Sequence, residues 1–142
     1  MKKIIFLCLV MILTACSSDL VSVEYKDDMT INDQTITIEG ETDLEDGSLI
    51  NYQITDFAAS EIKEEGTTEV QDGSFSYTFD VSEYGSGEYE VYTAFLPYEQ
   101  TDEIQEIYGG MGENLQTSSE VIYSEDVDDL KLIESRKTFE KN

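Results

Sequence analysis

From residue 21 onward apolar side chains recur at every second position, not at every third or fourth. Val21, Val23 and Tyr25 alternate with polar residues, as do Ile36 and Ile38 within Thr35–Glu39. Between Ser48 and Thr55, Ile50, Tyr52 and Ile54 fall on one face. The stretch from Ser74 to Val81 is the cleanest case, with Phe75, Tyr77, Phe79 and Val81 opposite Ser74, Ser76, Thr78 and Asp80. Glu88 to Phe95 sets Tyr89, Val91 and Phe95 against Glu88 and Glu90, and Val121–Ser124 and Leu130–Phe139 repeat the period less strictly. A period of two puts successive side chains on opposite faces, so these segments predict half-buried antiparallel strands. Their β-branched and aromatic content suits a pleated surface.

Turn residues separate the strands. Asp46-Gly47 and Asp72-Gly73 supply the positive φ that tight hairpins or turn-plus-bulge loops require, and Gly85-Ser86-Gly87 interrupts the chain between two strands. About seven short strands punctuated this way predict an all-β antiparallel sandwich. One short helix is expected after Thr101, its cap, with Asp102 and Glu103 in the first turn and Gly109-Gly110 as the stop. Ile104, Ile107 and Tyr108 would share its buried face, and the helix would close one end of the sandwich. Residues 56–70, with Glu61, Glu64, Glu65 and Gly66, read as a polar connector.

The first residues follow a different rule. Lys2 and Lys3 precede an unbroken apolar run from Ile4 to Leu13. Ten residues are too few to cross a bilayer core as a helix, which needs roughly 20. A basic start, a short apolar stretch and small residues after it read as a secretory signal. Leu13-Thr14-Ala15-Cys16 resembles a bacterial lipobox, which implies cleavage before Cys16 and acylation of that residue. Residues 1–15 are then the signal peptide, 16–20 a tether and 21–142 the sandwich domain. The tether reaches only about 15–20 Å when extended, so the domain would sit close to the extracytoplasmic face of the cell membrane. Two acyl chains give stable anchoring where one does not.

Cleavage changes the arithmetic of charge and thiols. The 142-residue chain holds 8 basic and 32 acidic residues; residues 1–15 take two lysines and no acid with them, leaving a net charge of −26. Cys8 leaves as well, and acylated Cys16 offers no thiol, so the domain folds without a disulfide. Such a charge excludes nucleic acid as a partner, because phosphate binding needs a basic face. The absence of His removes the commonest general base and zinc ligand. A Ser nucleophile would lack a His partner, and paired carboxylates have no Trp beside them to stack a sugar. Gly109-Gly110-Met111-Gly112 lacks the Lys-Ser/Thr of a phosphate loop, and Glu113 would repel phosphate.

Acidic loops remain. Aligning Gly47 with the glycine of an EF-hand puts Thr42 and Leu44 at the first and third ligand positions, which fails. Glu125, Asp126, Asp128 and Asp129 could offer a hard cation several oxygens, but a charged inter-strand loop is the better account of them in a chain this acidic. Among the tyrosines, Tyr89 falls on a core face, whereas Tyr92 shares the Glu88–Glu90 face; Tyr98 and Tyr108 complete the aromatic set weighed as a binding surface. Lys131, Arg136, Lys137 and Lys141 concentrate basic charge in the last twelve positions, as expected for a terminal strand neutralised by acidic neighbours.

The run Gly40-Glu41-Thr42-Asp43-Leu44-Glu45-Asp46-Gly47-Ser48-Leu49 resembles a strand-turn-strand of immunoglobulin-like domains in Gram-positive envelope proteins. Asp72-Gly73-Ser74-Phe75, Gly87-Glu88-Tyr89-Glu90-Val91 and the glycine-rich stretch from Tyr108 to Leu115 fall where such domains carry their other turn motifs. The resemblance spans roughly residues 33–120 and implies an extracytoplasmic immunoglobulin-like β-sandwich, with no particular activity. The expectation is therefore a lipid-anchored, non-catalytic binding or accessory module. It would meet the membrane through Cys16 and another envelope protein through its surface, without a cofactor or metal. The alternative is a divalent-cation-binding or envelope-homeostasis protein acting through its acidic surface.

Overall fold

The computed structural model describes residues 19–142. Cys16, the signal expected over residues 1–15 and the start of the tether lie outside the described residues. Eight strands carry the chain: β1 (Tyr25–Ile31), β2 (Thr35–Thr42), β3 (Leu49–Asp56), β4 (Glu61–Glu69), β5 (Ser74–Asp80), β6 (Gly87–Phe95), β7 (Val121–Tyr123) and β8 (Lys131–Lys141). They form an antiparallel sheet of three, in the order β1-β2-β5, and one of five, in the order β4-β3-β6-β8-β7. The chain passes between the sheets after β2, β4 and β5, which makes an antiparallel β-sandwich with the three-residue β7 added at one edge.

Alternation decides which residues meet between the sheets. Ile36 and Ile38 of β2, Ile50 and Ile54 of β3, and Val91 and Phe95 of β6 are essentially sealed from water. β5 contributes the bulk. Tyr77 stacks on Tyr52 of β3 with centroids 4.3 Å apart, and Phe79 meets both rings edge-on at 5.2 and 5.4 Å. Aromatic pairs in these geometries add to the burial of their area. At the next level Phe75 lies over Gly40 of the neighbouring strand, where a Cβ would collide with the ring, and stacks on Tyr25 at 5.4 Å. Tyr89 and Phe139 stack at 5.3 Å across β6 and β8.

Three expectations are corrected. Residues 61–69 are not a connector: they form β4, paired with β3 from Asp56↔Glu61 to Leu49↔Glu69. Backbone hydrogen bonding forms this edge strand, and Gly66 leaves room for the Tyr52 hydroxyl beneath it. The first strand starts at Tyr25, because Val21 is taken up in a parallel bridge to Leu115. The helix, α1 (Asp102–Tyr108), stands where expected, but the Thr101 hydroxyl makes no capping bond. It buries Ile104 and Tyr108 while Ile107 stays exposed. Tyr108 packs edge-on against Phe95 at 5.4 Å and its hydroxyl accepts a hydrogen bond from the Glu45 N–H at 2.8 Å, fixing α1 across the end of the sandwich.

Turns follow the sequence closely. Asp72 and Gly73 have φ of 50° and 73°, and Gln71 and Ser74 exchange backbone bonds of 2.8 and 3.0 Å around them. This is the two-residue turn that Asp-Gly favours, since both positions need positive φ.

Phe79 is 1 % exposed and touches the rings of both sheets. Phe79→Ala is expected to lower the unfolding free energy by about 3–5 kcal/mol, measured as a shift of the urea midpoint at constant slope.

Candidate functional site

The inward face of β1 carries a charge. Tyr25, Asp27 and Met29 alternate toward the core, and the Asp27 side chain is only 6 % exposed. Its Oδ1 accepts a hydrogen bond from Ser135 Oγ at 2.9 Å and lies 2.8 Å from Lys137 Nζ. Its Oδ2 accepts from Thr93 Oγ1 at 2.9 Å, and that hydroxyl accepts from the Tyr25 hydroxyl at 3.3 Å. Thr93 comes from β6 and Ser135 and Lys137 from β8, so one carboxylate joins the edge of the small sheet to two strands of the large one.

Ser, Lys and Asp together invite a nucleophile reading, and the geometry argues against it. Lys137 donates to both Asp27 and Ser135 (3.3 Å to the hydroxyl), while Ser135 donates to Asp27. A base must offer Ser a lone pair; here Lys137 supplies only N–H groups, and the carboxylate is consumed by three partners. Beside the clasp, burial pushes the Tyr25 and Tyr77 phenols far above their ordinary range; Asp27 adds to both, and Thr93 draws Tyr25 partly back. The Tyr77 hydroxyl is buried without a hydrogen-bond partner.

A second polar region covers the outer face of the five-stranded sheet. Arg136 stacks on Tyr92 with its guanidinium carbon 4.4 Å from the ring centroid, and pairs with Glu90 at 2.9 Å and Glu134 at 3.7 Å. Partial burial, with Glu134 beside it, pushes the Tyr92 phenol up to about 12. Next to it is an open recess between Asn51, Gln53, Glu65, Gly66, Leu96 and Glu99. The Asn51 amide donates to Glu99, which leaves this recess rich in acceptors.

The acidic loop that joins β7 and β8 holds Glu125, Asp126, Asp128 and Asp129 exposed. Ser124 Oγ accepts from the Asp126 and Val127 N–H groups at 3.1 Å each, so this segment is organised by a serine turn. Among the described residues no three carboxylates are grouped to hold a metal ion. Asp43 serves the fold, accepting from the Glu24 N–H at 2.6 Å. Tyr89 is buried and donates to the Gly85 carbonyl at 2.9 Å; Tyr98 is exposed. The four C-terminal basic residues all have partners within the fold: Lys131 Nζ donates to the Leu115 carbonyl at 2.6 Å, Lys141 to that of Val81, and Arg136 and Lys137 make the ion pairs above. Nothing in composition marked Asp27 or Ser135. Their signal was position: Asp27 continues the inward register of Val21, Val23 and Tyr25.

Comparison with protein-family models, with curated proteins and with solved structures finds no match to this chain.

Two outcomes test these assignments. Asp27→Asn leaves Lys137 facing a neutral amide and is expected to destabilise the fold by about 3 kcal/mol, since breaking a buried pair strands its partner. Asp27→Leu combined with Lys137→Met should recover most of that loss in urea unfolding. The second outcome concerns alkali. An unfolded tyrosine ionises near pH 10, whereas folded Tyr92 holds its proton to about 12 and Tyr25 and Tyr77 hold theirs longer. The folded chain thus binds more protons above pH 10, so stability is full below that value and falls as pH rises toward 12. Urea midpoints measured between pH 9 and 11.5 should decline, less steeply in Tyr92→Phe.

Proposed function

We propose that this chain is a lipid-anchored extracytoplasmic protein whose β-sandwich is a non-catalytic binding or accessory module of the cell envelope. The observation that carries the reading is the joining of a lipobox-like run to a sealed domain. Leu13-Thr14-Ala15-Cys16 stands five residues before Val21. Val21 is locked to the body, donating from its N–H to the Asn114 carbonyl at 2.7 Å and accepting from the Gln116 N–H at 2.8 Å. An acylated Cys16 would hold the domain within a short reach of the bilayer.

The interior polar groups support a non-catalytic role. Asp27, Ser135, Lys137 and Thr93 are committed to one another, and the outer-face charges pair on an open surface. A module of this kind acts by contact. Its excess of carboxylates disfavours polyanions and suits basic protein surfaces.

Metabolic labelling with a fatty acid tests the anchor. The wild-type chain is expected to carry label and to fractionate with membranes; Cys16→Ser should lose both the label and the processed, shorter form. A wild-type chain that is secreted without label would refute the reading.

A further inference from the structure

We propose that the end of the sandwich from which the N-terminal segment leaves is a docking face for an integral membrane protein, with Leu20, Ile107, Met111, Tyr123 and Val127 as its apolar contacts. The proposal rests on the anchored reading above. β1 runs away from this end, and α1 together with the starts of β3, β5 and β8 lies at it. Of the ten large apolar side chains exposed among the described residues, seven are at this end, these five with Tyr98 and Ile122.

Hydrogen bonds tie the segments that carry these residues into two neighbouring groups. Val21, next to Leu20, donates to the Asn114 carbonyl, and the Asn114 side chain donates to the Ile107 carbonyl at 3.1 Å. The Met111 carbonyl accepts from the Lys131 N–H at 2.9 Å, and Lys131 is the cross-strand partner of Tyr123. Leu130, one residue earlier, donates to the Val127 carbonyl. Exposed apolar side chains collected at one end of a chain this acidic mark a contact surface.

Two observations select the occupant. Leu20 is four residues from Cys16, at most about 14 Å of extended chain, so whatever covers this face lies at the membrane surface. Around the apolar residues stand carboxylates: Asp102, Glu103, Glu106 and Glu113 on the helix side, and Glu125, Asp126, Asp128 and Asp129 on the loop side. Lys131, the basic residue among them, is turned inward to the Leu115 carbonyl. Anionic lipid headgroups would be repelled by this rim. A polypeptide surface with an apolar centre and surrounding Lys or Arg complements it.

The test places a benzophenone side chain at Met111 or Tyr123, one at a time, in the full-length protein in its own cells. Phe57, exposed at the tip between β3 and β4 at the opposite end, is the comparison position. Irradiation is expected to join both near-end probes to the same polypeptide, which stays with the membrane after alkaline carbonate extraction; the Phe57 probe should not capture it. With the probe at Met111, Tyr123→Ser with Val127→Ser should reduce the yield at least ten-fold at unchanged circular dichroism. If that double variant loses the fold, the comparison of Met111 with Phe57 decides alone. Adducts to lipid only, capture only from Phe57, or no adduct while Cys16 carries its fatty acid would each overturn the docking face and leave the anchored reading intact. A chain without fatty acid overturns the reading and the proposal together.

Discussion

The Asp27 carboxylate is the charge this fold places between its sheets, and the position of β1 depends on it. β1 is an edge strand held laterally by β2 alone. Its second attachment is through Asp27 to Thr93, Ser135 and Lys137 of the opposite sheet. A carboxylate so far from water is tolerable because hydroxyls and an ammonium replace its hydration. The same group protects the edge, since a slip of one residue would expose Tyr25 and Met29 and bury Lys26 and Asp28 in their place.

The aromatic residues of β5 complete what the clasp begins. With no disulfide among the described residues, the small sheet is held by interdigitated rings. Tyr77 and Phe79 reach across to Tyr52, and Phe75 fills the space left by Gly40. Stacked rings give direction to a burial that would otherwise only be apolar. α1 then uses Tyr108 to cover Phe95, so the large sheet is sealed at the end nearest the N-terminal segment.

Much of this was legible in the alternation, because a half-buried strand must alternate. β5 and β6 were fully readable, and the two Asp-Gly pairs announced turns in which Asp72, Gly73 and Gly47 take positive φ. β4 was hidden: its inward positions are Glu64, Gly66 and Thr68, and backbone pairing with β3 makes it a strand without an apolar signature. Ile107 was misassigned because a two-turn helix presents too few residues to define a face. Asp27 was passed over although it sits in register, since a charge inside an apolar series looks like a break in the pattern until its partners 66 and 108 residues away are known.

The two ends of the described chain lie at opposite poles of the sandwich, and that has a mechanical consequence. β8 runs to Lys141 and is bonded to β6 over nine residue pairs along nearly its whole length. A pull between the N-terminal pole and the C-terminal pole is directed along the strands. It loads that row of hydrogen bonds in shear, all sharing the force, whereas a pull across the sheet would open them one by one like a zipper. A domain pulled this way resists stretching most strongly along the axis of its strands.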